Sequence, residues 1–136
     1  MDRMIFVNLP TENLDAANTF YGALGFRRNP DFSNDDASAW EISGSIWLMS
    51  LRAEFYGSFM RNGDEPCFGS GKREVMNGLS CTTREEVDAL TAAASRNGGS
   101  VYRAAEEQFP GMYGSAVLDP DGHAWELIYL EVPQES

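Results

Sequence analysis

The same order of predicted elements occurs twice along the chain, and this repetition constrains the fold more than any other feature. Each half reads as a strand, a helix and three further strands. In the two predicted helices, Leu14-Asp15-Ala16 corresponds to Val87-Asp88-Ala89. The first helix ends in Leu24-Gly25-Phe26 and the second in Asn97-Gly98-Gly99. An internal duplication is the simplest explanation. Because neither half could cover both faces of its sheet, we expect the halves to share a core.

Strand and turn signals place the elements of the first half. Alternating apolar residues predict strands at residues 4–9, 26–29, 38–42 and 45–51, and a short helix at 54–61. Asn13 is a suitable N-cap for the first long helix, and Gly25 can adopt the left-handed conformation that ends it. The first module therefore covers residues 1–62, and a Gly-rich linker covers 63–72.

The second module covers residues 73–136 and begins with a predicted strand at 75–82. Thr83 and Glu86 have the spacing of a capping box, and Val87, Leu90 and Ala94 would form the apolar stripe of the following helix. Further strands are predicted at 100–103, 113–118 and 123–130, with a polar loop at 106–108. The tail from Pro133 is expected to fray.

A turn of sequence Asp119-Pro120-Asp121-Gly122 precedes the last strand, which carries Glu126 at its centre. A carboxylate on an inward face of a strand costs free energy unless it has a partner. Glu126 could therefore be a general base or could orient a polar ligand by hydrogen bonding. Alternatively, it is a structural carboxylate bonded to the backbone or to a neighbouring Tyr or Arg. His123 is either a general base or a structural partner of Asp119 or Asp121.

Composition excludes several classes of function. The net charge of −11 argues against binding to nucleic acid or to anionic membranes. No apolar run is long enough to span a bilayer, and residues 1–7 do not resemble a signal peptide. Cys67 and Cys81 have no metal-binding spacing and predict no disulfide framework. We therefore expect a cytoplasmic protein.

These residues and motifs resemble the vicinal oxygen chelate superfamily, which includes glyoxalases, bleomycin-resistance proteins and extradiol dioxygenases. The resemblance is carried by Phe6-Val7-Asn8-Leu9-Pro10, by Phe20-Tyr21 with Leu24-Gly25-Phe26, and by the segment from Asp119 to Glu126. It covers nearly the whole chain. It implies two βαβββ modules that form a cup-shaped, curled mixed sheet with helices outside, and a homodimer. It also implies a ligand cup that holds one divalent metal in the active members.

The metal positions that the resemblance implies are mostly occupied by residues that cannot bind a metal. The first-strand position falls at about Phe6, the fourth-strand position within residues 46–50, and the fifth-strand position near Met76 or Asn77. Only Glu126 matches in the last strand. His123 and Glu126 are three positions apart and should point to opposite faces. We therefore expect no family-type metal and no other cofactor.

Several side chains are predicted to line the cup and to bind a small organic ligand. Asn8 and Asn77 lie in corresponding strands, although they could equally be partners for each other. The aromatic insert between the modules could be a lid, a dimer contact or part of the core, and the tryptophans could form an ordinary core. The predicted ligand-binding residues are Asn8, Asn77, Glu126, Trp47, Phe55, Phe59 and Trp125.

Three functions remain open from the sequence. The first is a protein that binds a small organic molecule in an aromatic cup without the family metal. The second is a lyase or isomerase of the glyoxalase type that uses Glu126 as a base, with or without a divalent metal. The third is a structural or partner-binding role through the exposed insert, since a fold alone does not determine function.

Overall fold

The computed structural model describes residues 2–131 of the chain. It divides into two compact units, Met1–Phe68 and Gly69–Ser136. Each unit contains a four-stranded mixed sheet, so the predicted α+β class and the two βαβββ modules are confirmed. The tail from Pro133, which was expected to fray, lies outside the described residues. Within the described residues, no helix is long and apolar enough to cross a membrane.

The first unit contains four strands, two α-helices and one 3-10 turn. In chain order these are β1 (Ile5–Thr11), α1 (Leu14–Ala23), β2 (Arg27–Asn29), the 3-10 turn (Pro30–Phe32), β3 (Ala37–Ser43), β4 (Ile46–Arg52) and α2 (Ala53–Gly57). The strand order is β1-β4-β3-β2, with β1 parallel to β4 and the other pairs antiparallel.

The ends of α1 follow the sequence signals. The Asn13 side chain accepts a hydrogen bond from the Ala16 N–H at 3.0 Å, which satisfies one of the free amides of the first turn. Gly25 has a φ of +87° immediately after the helix. Phe20 and Tyr21 are buried beneath the helix and meet edge to face, with ring centroids 4.9 Å apart. The helix is therefore held by its apolar face as well as by its caps.

The second unit has the strand order β5-β8-β7-β6. Its elements are β5 (Asn77–Cys81), α3 (Arg84–Arg96), β6 (Ser100–Phe109), β7 (Met112–Leu118) and β8 (Ala124–Leu130). β5 is parallel to β8, and the other pairs are antiparallel. The Thr83 hydroxyl accepts from the Glu86 N–H at 3.0 Å, as predicted. The Glu86 carboxylate reaches back to the Thr82 N–H, one residue before the N-cap.

In the first unit, α1 covers one face of the sheet. Ser38 donates to the Asn18 side chain of α1 at 2.7 Å, and the Trp40 ring lies 6.4 Å from the Tyr21 ring. Because side chains alternate along a strand, the cross-strand register then places Trp47 and Met49 on the opposite face. We call the side of each sheet that faces away from α1 or α3 its open face.

The open face of the second unit is found in the same way. The Thr91 hydroxyl of α3 lies 2.7 Å from the Ser115 hydroxyl of β7, and Ser115 is paired with Leu127 of β8. Both strand residues therefore face α3, and Glu126 lies on the open face.

Three predicted elements need correction. The loop predicted at 106–108 is wrong, because these residues belong to β6, whose register against β7 shifts at three points. Such bulges keep a polar stretch within a strand. The helix predicted at 54–61 ends at Gly57, where tight turns replace it. In α3 the buried residues are Val87, Thr91 and Ala94, so Thr91 occupies the position expected for Leu90. Its hydroxyl is hydrogen-bonded to the Val87 carbonyl oxygen and to Ser115.

Candidate functional site

The turn before β8 is built around one buried carboxylate. Asp119 is 5% exposed, and its Oδ1 accepts from the N–H groups of Asp121 at 3.0 Å and His123 at 2.8 Å. The backbone of Gly122 donates to the Asp119 carbonyl oxygen at 2.9 Å. The structural bond predicted between His123 and Asp119 is thus made by the His123 backbone. This network orients the start of β8 and therefore the position of Glu126.

The same turn holds the segment that leads into β5. Arg73 Nη1 donates to the Gly122 carbonyl oxygen at 2.6 Å, and the Gly69 N–H donates to the Asp121 carbonyl oxygen at 3.3 Å. A Cβ on Gly69 would lie 1.8 Å from the Gly122 oxygen, and a Cβ on Gly122 would lie 2.5 Å from the Gly69 oxygen. Both positions therefore require glycine, and Gly122 also has a φ of +86°.

Glu126 lies between two small residues in a cross-strand row of the second sheet. It is paired with Gly78 on β5 and with Ala116 on β7, and Ala116 is paired with Arg103 on β6. Because Ala116 is short, Arg103 reaches across β7, and its Nη2 donates to Glu126 Oε2 at 3.0 Å. The side chains of Glu126 and Arg103 are 24% and 34% exposed. The charged pair is therefore only partly withdrawn from water.

Gln108 completes this polar cluster on the open face. With its amide oxygen turned toward the guanidinium, Gln108 accepts from Arg103 Nε at 2.6 Å and from Nη2 at 2.7 Å. The cluster leaves Glu126 Oε1 without a hydrogen bond to any residue in the range 2–131. The sequence predicts an Arg partner for Glu126 only in general terms and identifies neither Arg103 nor Gln108. The available sequence signal for this pair was an arginine in a polar edge strand together with the single carboxylate of β8.

The open face of the first sheet contains a cavity of about 420 Å³ with apolar walls. Its lining consists of Met4, Phe6, Asn8, Phe32, Ala39, Trp47 and Met49. Phe6 and Phe32 are 53% and 68% exposed, and they line the same cavity as the exposed Met4. Neighbouring exposed apolar side chains of this kind mark binding sites. The indole Nε1 of Trp47 is buried and has no hydrogen-bond partner among residues 2–131. The cavity has the size and the lining of a small-molecule site.

A second cavity of about 300 Å³ shares one lining residue with the first. It is lined by Asn8, Leu51, Tyr56, Phe59 and Met60, so Asn8 belongs to both. Phe55 does not line it but supports Phe59 edge to face, with ring centroids 5.1 Å apart. The aromatic insert thus lies beside Asn8 rather than in the core of the unit.

Two of the predicted ligand-binding residues lie away from the open faces. Trp125 is 1% exposed and, being adjacent to Glu126, points to the α3 side of the second sheet. Asn77, the first residue of β5, is paired with Trp125 and therefore faces the same side of the sheet. The structure thus places Asn8, Trp47, Phe59 and Glu126 on the open faces of their own sheets, and Trp125 in the core.

The sequence matches the family described as Glyoxalase/Bleomycin resistance protein/Dioxygenase superfamily over residues 3–127. The chain belongs to this superfamily. The family predicted from the two modules and from the turn before Glu126 is therefore confirmed. Among curated proteins, no match was found.

Several solved structures share this fold. A hypothetical protein from S. aureus is 26% identical, with a TM-score of 0.77 over 95% of this chain and 94% of that one. A glyoxalase-related enzyme from Fulvimarina pelagi is 22% identical, with a TM-score of 0.81 over 100% and 94%. A lactoylglutathione lyase from Agrobacterium tumefaciens is 17% identical, with a TM-score of 0.69 over 95% and 94%.

The residues at the superfamily's metal positions do not fit a divalent metal. In the first sheet, Phe6 is paired with Trp47, and neither side chain offers an oxygen or a suitable nitrogen. In the second sheet the neighbour of Glu126 is Gly78, because Met76 lies before β5 and Asn77 faces the other side. Within the described range, no group of three His, Cys, Asp or Glu side chains could hold a metal. Glu126 Oε2 is moreover engaged by the Arg103 guanidinium.

Proposed function

We propose that this protein binds a small organic molecule on the open face of its first sheet, without the divalent metal of its superfamily. The observation that carries the proposal is the 420 Å³ cavity with four large exposed or half-exposed apolar side chains, namely Met4, Phe6, Phe32 and Trp47. Covering such surface with a ligand is favourable at about 25 cal/mol per Å². The proposal includes a cytoplasmic homodimer. Light scattering of the purified protein tests the dimeric state.

Glu126 supports a metal-free site for an electrostatic reason. In place of a metal ion, the positive charge beside this carboxylate is the guanidinium of Arg103. A guanidinium satisfies the carboxylate with directed hydrogen bonds but provides no open coordination position for a substrate. Metal binding would have to displace Arg103 and Gln108 and would still lack further ligands among residues 2–131.

A catalytic role for Glu126 or His123 is the second candidate, a lyase or isomerase acting on a small carbonyl compound or thiol adduct. It rests on the free Oε1 of Glu126, which lies on an open face and could accept a proton from a bound substrate. Turnover of such compounds that survives Glu126→Gln would remove this candidate. Loss of turnover in Glu126→Gln, with ligand binding retained, would favour it.

The binding proposal is tested with chelator-treated protein and a panel of small aromatic compounds. A ligand at 100 times its Kd should stabilise the fold by about 2.7 kcal/mol and raise the melting temperature by several degrees. Phe32→Ser, which removes one wall of the cavity, should weaken binding. Phe109→Ser is the matched control, because Phe109 is 64% exposed and lies in the other unit.

Two results would contradict the proposal. One is an unchanged melting temperature across the panel, and the other is equal loss of binding in Phe32→Ser and Phe109→Ser. Stoichiometric metal in protein purified without chelator, together with binding that requires this metal, would contradict its metal-free part.

A further inference from the structure

One polar side chain lines both apolar cavities on the open face of the first sheet. Asn8 lines both the 420 Å³ cavity and the 300 Å³ cavity beside α2. It is exposed, and its amide forms no hydrogen bond with any of residues 2–131. A side-chain amide offers two donors and one acceptor oxygen. The hydrogen-bonding capacity of Asn8 is therefore available to a molecule that occupies the cavities.

Among the residues that the structure describes, none with a charged side chain lines either of the two cavities. The nearest charge along the register of the open face is Glu41, the cross-strand partner of Trp47, and Arg27 already pairs with it. Moving a charged group into an apolar site without an opposite charge is strongly unfavourable. A charged ligand would therefore lose more on entering than a neutral ligand of the same shape.

Rings dominate the walls of both cavities. Phe6, Phe32 and Trp47 belong to the larger cavity, and Tyr56 and Phe59 belong to the smaller one. Flat aromatic ligands gain both from burial and from ring–ring contacts in such surroundings. The site thus combines aromatic walls with one side-chain amide, that of Asn8, and also contains the Tyr56 hydroxyl and the indole N–H of Trp47.

We propose that the ligand is a neutral, flat, mainly aromatic molecule with one carboxamide or lactam group, and that this group pairs with the Asn8 amide. An amide on the ligand presents an adjacent donor and acceptor, which match the acceptor and donor of Asn8 in a two-bond pair. This inference rests on the proposed function, because it names the class of ligand for the same cavity. Asn8 then determines specificity, while the rings supply most of the binding energy.

Four probes of one shape test the assignment by isothermal titration calorimetry. They are naphthamide, methylnaphthalene, naphthoate and naphthylmethylammonium, which differ in hydrogen-bonding capacity and charge. Naphthamide should bind most tightly. Asn8→Leu keeps the size of the side chain but removes its amide, and it should weaken naphthamide binding about 10-fold. The same variant should bind methylnaphthalene as tightly as the parent protein, which also reports that its cavity is intact.

The outcomes separate this inference from the proposed function. If none of the probes binds, the proposed function fails and the inference fails with it. If the probes bind but Asn8→Leu does not reduce the preference for naphthamide over methylnaphthalene, only the role of Asn8 is refuted. Tighter binding of naphthoate or naphthylmethylammonium than of naphthamide would overturn the neutral class and assign a charged ligand.

Discussion

Alanine at Gly122 is expected to damage the turn before Glu126 in two separable ways. The first is conformational, since a φ of +86° costs a non-glycine residue about 1–2 kcal/mol. The second is steric, since the new Cβ would lie 2.5 Å from the backbone oxygen of Gly69. Relieving that contact lifts the segment from Gly69 to Arg73 and breaks two hydrogen bonds, worth together about 2 kcal/mol. Gly122→Ala should therefore lower the free energy of unfolding by about 3–4 kcal/mol.

Two further glycine variants in the same unit isolate the two terms. Gly98→Ala carries only the conformational cost, because its φ is +93° and its Cβ would make an ordinary contact at 3.6 Å with Pro120. It should cost about 1–2 kcal/mol. Gly69→Ala carries only the steric cost, with a Cβ at 1.8 Å from the Gly122 oxygen, and should cost about 2 kcal/mol. Combining Gly69→Ala with Gly122→Ala should cost less than the sum, because either change alone already lifts the segment.

Urea unfolding followed by circular dichroism measures these free energies. Limited trypsin digestion gives an independent measure, because cleavage after Lys72 or Arg73 requires the segment to leave the turn. Cleavage there should be faster in Gly69→Ala and Gly122→Ala than in Gly98→Ala. Two results would refute the effect of the close contact between Gly69 and Gly122. One is a loss in the free energy of unfolding that is no larger for Gly122→Ala than for Gly98→Ala. The other is full additivity of the losses caused by the Gly69 and Gly122 changes.

The remaining predictions concern the charged pair and the two thiols. In a double-mutant cycle with Arg103→Met and Glu126→Gln, urea unfolding should give a coupling of about 1 kcal/mol, since the partly exposed pair is screened by water; a coupling near zero would contradict the pairing. Burial, and then the nearby Glu86 charge, raises the pKa of Cys81 to about 11, so at pH 8 iodoacetamide should label exposed Cys67 quickly and Cys81 only after unfolding. Because folding raises this pKa, the stability that Cys81 contributes is complete below its ordinary pKa of 9.0 and is lost as the pH rises through about 11. Equal labelling of both thiols in the native protein would refute the burial argument.

Local signals predicted most of the elements because their causes lie within a few residues. The caps at Asn13 and Thr83 and the left-handed Gly25 act over one turn of chain, and all three occur as expected. The strand at 106–108 was missed because its polar residues look like a loop. Pairing with β7 and the bulges between them, which involve residues far apart in sequence, make it a strand.

The candidate site was predicted only in part for the same reason. Glu126 was identified because a carboxylate in an apolar strand stands out locally. Its partner Arg103 is 23 positions away and reaches it only because Ala116 lies between them in the register. Trp125 was expected on the ligand side, but strand alternation places it against α3. Which face carries α3 is settled by the packing of Thr91 on Ser115.

By itself, the sequence determined the superfamily and the two βαβββ modules, because these depend on residue type, order and spacing. The tertiary structure decided which side chains meet. It brings Arg103 to Glu126 and places Asn8 in the lining of two apolar cavities, and it packs Gly69 against Gly122 at backbone distance. Such contacts depend on strand register and on the absence of a Cβ at a few positions, and local sequence patterns carry neither kind of information.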